Sequence, residues 1–287
     1  MKKLLYQFDT DALPSVFDNV VGYDGGADRI SAYGGVHADN VGGLVEGAIF
    51  TRSPKDKKNT ALFVGGSNMQ QGEAMLRAIR AKFFGKFRVS VMFDCNGSNT
   101  TAAAAVAWLA HGRNLQGKRA VVLAGSGPVG QRAAALLARE GAQVAITGRK
   151  LIVVQAAREA IRSRFAIDVE AIEAPTGAER GAAIRDAHIV LATGAAGVPL
   201  LNAKQWQETP SLELIADANA SPPAGIEGVG SSDRGTNSHG KILFGALGFG
   251  ALKLALHRAC IARLFEQNDL VLDAEEIYGI AKTMIAS

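Results

Sequence analysis

The chain has 287 residues and 48% hydrophobic composition, enough for two domains of ordinary size. Its 31 basic and 27 acidic side chains leave a net charge of +4, which suits an anionic small ligand, and no concentrated basic tract points to nucleic acid. No apolar run approaches the roughly 20 residues of a membrane helix, and neither the two cysteines nor the five histidines show metal-ligand spacing, so a reducing cytoplasm and no metal site are expected.

The start, Met1 to Asp9, has two lysines but only a short apolar run before an acid. That pattern predicts a first strand, Leu4 to Phe8, rather than a signal peptide. Pro14 to Val21 reads as a helix, and the acidic stretch with Asp24 and Asp28 reads as the loop after it. A shorter helix starts near Asp39. Strands at Ala61 to Val64 and Val89 to Phe93 flank a helix from Gly72 to Phe84. Such alternation indicates an α/β domain with a mainly parallel sheet. Asn96-Gly97-Ser98-Asn99-Thr100 then reads as a turn-and-cap cluster ahead of an alanine-rich linking helix, Thr101 to Ala110.

The most informative stretch follows. Ala120-Val121-Val122-Leu123-Ala124 leads into Gly125-Ser126-Gly127-Pro128-Val129-Gly130, a helix through Arg139, and a second apolar run, Val144-Ala145-Ile146. Strand, G-x-G-x-x-G and helix in that order form half of a dinucleotide-binding, Rossmann-type unit. The glycines permit the tight turn, the approach of pyrophosphate and close helix packing. An NAD site usually places an acid at the end of the second strand, to bond the ribose 2′-hydroxyl. Here Gly148-Arg149-Lys150 stands there, and two cations attract a 2′-phosphate, so NADP is the expected cofactor. Later strands at Ile189 to Ala192 and Leu212 to Ala216 end in Thr193-Gly194-Ala195 and Asp217-Ala218-Asn219. In doubly wound sheets such ends face the ligand. Thr193, Gly194, Ala195 and Asn219 therefore join the glycine loop, Arg149 and Lys150 as cofactor-binding candidates.

From Phe244 a glycine-rich approach leads to a long helix, about Phe249 to Phe265, and a last helix spans Ala274 to Ile285. Lys253 and His257 stand four residues apart and share a helical face. That face either lines a cleft or is solvent-exposed beside Arg258. In the first half, Asp94 ends a strand next to Asn96 and is better placed for a site than Asp24 or Asp28, which read as turn residues.

Beyond the glycine loop, several longer motifs resemble the bacterial NADP-dependent methylene-tetrahydromethanopterin dehydrogenases. They are Leu4-Leu5-Tyr6-Gln7-Phe8-Asp9-Thr10-Asp11, Val21-Gly22-Tyr23-Asp24-Gly25-Gly26-Ala27-Asp28, Asn96 to Ala104, Phe244-Gly245-Ala246-Leu247-Gly248, Leu252-Lys253-Leu254 and His257 to Ala262. The resemblance covers essentially the whole chain. It implies two domains, a pterin domain (residues 1–100 with 250–287, an α/β unit completed by C-terminal helices) and an NADP-binding doubly wound domain (101–249). It also implies reversible hydride transfer from methylene-tetrahydromethanopterin, for some members also methylene-tetrahydrofolate, in formaldehyde oxidation by methylotrophs. A cytoplasmic homo-oligomer, trimer or hexamer, comes with it. The family's active-site lysine falls on Lys253, and Asp18, Asp94, Asn96, Ser98 and His257 are the substrate-binding candidates. Related folate enzymes hydrolyse the methenyl form with a Tyr-x-x-x-Lys pair; Phe249 stands in the tyrosine's place, so no cyclohydrolase activity is expected. The competing readings are a shikimate-like dehydrogenase, which needs a Lys-Asp pair in the first domain, and a non-catalytic NADP-sensing module.

Overall fold

The structure is a computed structural model that describes residues 1–286. The chain begins β1 (Leu4–Asp9), α1 (Val16–Asp24), β2 (Arg29–Tyr33), α2 (Gly42–Phe50), β3 (Thr60–Gly65), α3 (Met69–Ala81), β4 (Ser90–Phe93) and α4 (Ser98–Ala110). It continues β5 (Arg119–Leu123), α5 (Pro128–Arg139), β6 (Gln143–Gly148), α6 (Leu151–Phe165), β7 (Glu170–Glu173), α7 (Gly177–Ala183), β8 (Ile189–Ala192) and α8 (Ala203–Gln207). The last elements are β9 (Leu214–Asp217), β10 (Arg234–Ser238), β11 (Lys241–Phe244), α9 (Ala246–Arg263), β12 (Val271–Leu272) and α10 (Ala274–Ala286). Packing divides them into two units, Met1–Thr100 with Leu254–Ile280, and Thr101–Lys253 with the residues from Ala281 onward.

The first unit holds a five-stranded sheet in the order β12-β4-β3-β1-β2, every pairing parallel. Successive side chains point to opposite faces. Phe8, Leu62 and Val64 join Val45 and Ile49 of α2 and Met75 and Ile79 of α3 in one core. Phe63, on the other face, stacks on His257 of α9. Such a two-sided sheet buries β3 completely, and each buried aliphatic or aromatic side chain stabilises the unit by about 1.5–3 kcal/mol.

The second unit holds a seven-stranded sheet in the order β10-β11-β9-β8-β5-β6-β7, parallel except for β10 against β11. Strands β7-β6-β5-β8-β9-β11 reproduce the doubly wound order, and the direction of winding reverses between β5 and β8. The crevice beyond the carboxyl ends at that reversal is where such sheets bind ligands. The fold is thus α/β with parallel sheets, as the alternation predicted.

Several boundaries differ from the sequence reading. The first helix runs on to Asp24, so Asp24 is its last residue rather than part of a loop. The linking helix starts at Ser98, inside the supposed turn cluster, because its cap is Asp94 (below). Strand β9 starts at Leu214 instead of Leu212. The glycine-rich approach to the long helix is its first two turns: α9 begins at Ala246, and a Cβ on Gly248 would collide with the Asp233 carbonyl. Strands β2, β7 and β10 went unseen, as did β11, β12 and helix α6. β2, β7 and β10 sit at sheet edges with no buried residue, so they carry no apolar run to betray them, while β11 and β12 are only 4 and 2 residues long.

Candidate functional site

The glycine loop joins β5 to α5. Each glycine meets a different environment. A Cβ on Gly125 would lie 2.9 Å from the Val122 carbonyl oxygen and 3.0 Å from Ile146. One on Gly130 would lie 2.5 Å from the Gly125 Cα and 2.7 Å from Thr193 Oγ1. One on Gly127 would meet nothing within 4 Å. The outer glycines are fixed by protein packing, whereas Gly127 fronts open space at the first turn of α5. Gly127 is the N-cap of that helix and supplies no side-chain acceptor, so the helix end is left to an anion. Ala124, at φ +52°, makes the turn itself.

Thr193, at the end of β8, locks this loop from the adjacent strand. Its hydroxyl donates to the Leu123 carbonyl at 3.1 Å. Around the loop lies a cavity of about 360 Å³ lined by Ser126, Thr147, Arg149, Gly194 and Ala195, together with Ala174, Pro175, Arg180 and Leu200. A neighbouring hollow of about 480 Å³ is lined by Ser126, Arg149, Lys150 and Val153. Arg149 and Lys150 are both exposed there, immediately before α6. Arg180 ties two walls together: its Nε donates to the Leu200 carbonyl (2.7 Å) and its Nη1 to the Pro175 carbonyl (2.8 Å). Sequence reasoning missed Arg180, Ala174 and Pro175, because they follow the unseen edge strand β7.

At the end of β9 a smaller cavity of about 220 Å³ is lined by Asp217, Asn219, Ser221, Gly230 and Gly245. Asn219 is buried, and its side chain shapes the loop: Nδ2 donates to the Pro223 carbonyl (3.0 Å) and Oδ1 accepts from Ser221 N–H (3.0 Å). Asp217, which the sequence reading passed over, is 2% exposed and accepts from the N–H groups of Asn219 and Ile226. Burial pushes its carboxyl above the usual range, against the pull of these N–H groups.

In the first unit the candidates gather at the carboxyl ends of β3 and β4, with differing exposure. Asp94 is buried and caps α4: its carboxylate accepts from Asn99 N–H (2.8 Å), Thr100 N–H (3.1 Å) and the Thr100 hydroxyl (2.6 Å). Ser98 is buried and donates to the Cys95 carbonyl at 2.7 Å. Both side chains are thereby engaged in the helix start. Asn96 is exposed, at φ 56° in the turn between them. Asp18 lies against the end of β3, its carboxylate 3.4 Å from where a Gly65 Cβ would stand. His257 is fully buried, its ring 5.4 Å from Phe63 and 6.2 Å from the half-exposed Phe17, which excludes the solvent-face alternative for that residue. Lys253, one turn earlier, is half-buried, while Arg258 is exposed and pairs with Asp24 at 2.7 Å. The two cysteines are buried free thiols, and burial pushes Cys260 well above the thiol range, so it is no nucleophile. No cluster of metal-ligating side chains occurs among the described residues, and no helix among them is long and apolar enough to cross a membrane.

Comparison with known proteins fits this geometry. Residues 16–96 match the family model for the N-terminal region of methylene-tetrahydromethanopterin dehydrogenase. The chain is 57% identical to the "bifunctional protein MdtA" of Methylorubrum extorquens, over 99% of both chains. It is 34% identical to an NAD(P)-dependent methylenetetrahydromethanopterin dehydrogenase of the same organism, over 93% of both. Among solved structures, a shikimate 5-dehydrogenase from Mycobacterium fortuitum aligns with a TM-score of 0.53 at 15% identity, over 98% of both chains. A quinate dehydrogenase from Corynebacterium glutamicum aligns at 0.52 and 14% identity, over 100% of this chain and 99% of that one. These two share the fold only. Identity over nearly the full length of two relatives decides the family: the chain belongs to the methylene-tetrahydromethanopterin dehydrogenases.

Proposed function

We propose that the protein transfers a hydride reversibly from methylene-tetrahydromethanopterin, and also from methylene-tetrahydrofolate, to NADP⁺. The observation that carries the cofactor half is the phosphate loop, open at Gly127 and followed at the next strand end by Arg149 and Lys150. Gly125 to Gly130 hold the pyrophosphate at the end of α5, Arg149 and Lys150 the 2′-phosphate, and Thr193, Gly194, Ala195 and Asn219 the remainder of the dinucleotide. When bound, NADP⁺ supplies the hydride acceptor. In this reading the Thr101 to Phe249 region is the NADP domain. Residues 1–100 with the C-terminal helices form the pterin domain, where Asp18, Asp94, Asn96, Ser98 and His257 mark the substrate side.

The sparse set of titratable groups suits this chemistry. The carbon that loses hydride lies between two nitrogens, which delocalise the resulting positive charge themselves. No proton leaves in that step, so no general base is needed, and the protein's work is alignment. Lys253 is assigned to orienting and polarising the pterin, and Phe249 supplies no hydroxyl for methenyl hydrolysis. A homo-oligomer in the cytoplasm completes the reading; two free buried thiols suit a reducing compartment.

The test is NADPH formation from NADP⁺ and each methylene-pterin, with methenyl hydrolysis followed in parallel. Turnover with slow, background-level hydrolysis is expected. Tight NADP binding without turnover would sink the reading in favour of a sensor. Lys253→Ala should lower kcat at least 100-fold with less than a threefold change in NADP Kd; an unchanged kcat removes Lys253 from the reaction.

A further inference from the structure

The wall of the cofactor cavity holds an arginine that neither the glycine loop nor the Arg149-Lys150 pair accounts for. Arg180, in α7, is half-buried. It lines the cavity of about 360 Å³ around the glycine loop, and also a second cavity of about 550 Å³ with Asn202, Gln205 and Glu227. It is therefore the partition between the two. Backbone carbonyls fix its plane. Nε donates to Leu200 (2.7 Å), and Nη1 donates to Pro175 (2.8 Å) and, at 3.4 Å, to Ala174. Among the described residues no carboxylate pairs with it. The adjacent Glu179 instead caps α7, accepting from the Thr176 N–H (2.8 Å) and hydroxyl (2.7 Å).

The spent donors decide what this cation can still do. A phosphate is gripped by parallel N–H bonds from the guanidinium fork, and here Nε and Nη1 are already committed to carbonyls. The broad face of the guanidinium remains, and such a face stacks on aromatic rings. The wall beside it is apolar: Ala174, Pro175, Val198 and Leu200 line the same cavity, which suits a flat heterocycle. Of the two cavities, only the one of about 360 Å³ includes Ser126 of the glycine loop and Arg149. A base joined to phosphates at the loop thus reaches Arg180 from that side. We propose that Arg180 stacks face-on against the adenine ring of the bound dinucleotide, while Arg149 and Lys150 hold the 2′-phosphate. The proposal rests on the NADP reading above and adds the contact that grips the base. NAD and NADP share that base, so the contact serves both and does not choose between them.

The test compares Arg180→Met and Arg180→Lys with the wild type by calorimetric titration and by turnover with a methylene-pterin. Both variants lose the planar face, and lysine keeps the charge. Each should weaken NADP and NAD by the same factor, at least about tenfold, and raise the KM for NADP while kcat stays within about twofold. A crystal structure of the wild-type NADP complex, which needs no variant to fold, should show the adenine ring face to face with the guanidinium and within about 6 Å of it. A wild type that binds no dinucleotide overturns the NADP reading and this contact together. With wild-type binding intact, unchanged affinity in Arg180→Met or an adenine seated elsewhere overturns the contact alone. A loss confined to NADP would make Arg180 a ligand of the 2′-phosphate, and full recovery in Arg180→Lys would make it a point charge. A fall in kcat to match the loss of affinity would make it a strut between the cavity walls. Each of these three results overturns the stacking.

Discussion

The three glycines of the phosphate loop share a motif but face different physics. Gly130 is held by protein: any Cβ there meets the Gly125 backbone and Thr193. Gly130→Ala should therefore shift the loop and destabilise the second unit, by about 1–3 kcal/mol as overpacking does, with a matching fall in Tm. Gly127 has ordinary helix-cap dihedrals and open space before it. Gly127→Ala should leave Tm within about 2 °C of wild type while raising the NADP Kd at least tenfold, because the methyl takes the space of the pyrophosphate. Isothermal titration and thermal scans of the two variants check the contrast; a cofactor affinity unaffected by Gly127→Ala would remove the loop from the binding site. Asp217 gives a pH-dependent counterpart. Burial holds its folded pKa above the unfolded value, so its contribution to stability is fully present below the unfolded pKa and is lost as pH rises through the folded one. Asn does not titrate. The stability deficit of Asp217→Asn should then be largest near about pH 4 and shrink toward about pH 7 in urea titrations. A deficit growing with pH would show that the hydrogen bonds to Asn219 and Ile226 outweigh the burial.

At the level of elements, most buried strands were legible in the sequence, whereas the edge strands, the short buried β11 and helix α6 were not. β3 and β5 are apolar because both faces are covered, whereas β2, β7 and β10 read as loops because water meets most of their side chains. The start of α4 shows a second limit. Asn96 to Thr100 has the composition of a cap, yet the capping carboxylate comes from Asp94, across a tight turn that only the folded backbone reveals. Asp94→Ala strips acceptors from two buried N–H groups and one hydroxyl, with an expected cost of about 2–3 kcal/mol. Thermal unfolding should fall by roughly 5–10 °C. Asp94→Asn, which keeps one acceptor oxygen, should recover part of that loss. If the alanine variant instead keeps its stability and loses only pterin turnover, Asp94 serves the substrate rather than the helix.

On the scale of the whole molecule, motif spacing sufficed to find the glycine loop, but the walls around it depend on distant segments. Arg180 reaches the cavity through carbonyls at Pro175 and Leu200, and no local pattern links those positions. The basic pair Arg149-Lys150 was readable because it directly follows a recognisable strand. Its role can be weighed by ligand-coupled stability. A ligand at 100 times its Kd stabilises the folded chain by about 2.7 kcal/mol, which should raise the Tm by roughly 5–10 °C. Each charge-assisted bond to a phosphate contributes about 1.5–3 kcal/mol, so Arg149→Ser/Lys150→Ser should lower NADP affinity by about a hundredfold or more. At that NADP concentration the variant's Tm increase should nearly vanish. NAD carries no 2′-phosphate, and its smaller Tm increase should be the same in variant and wild type. Both residues are exposed, so the ligand-free Tm should not move. An equal loss for NAD and NADP would mean that the pair contacts what the two dinucleotides share, and cofactor selectivity would then have to come from elsewhere in the second unit.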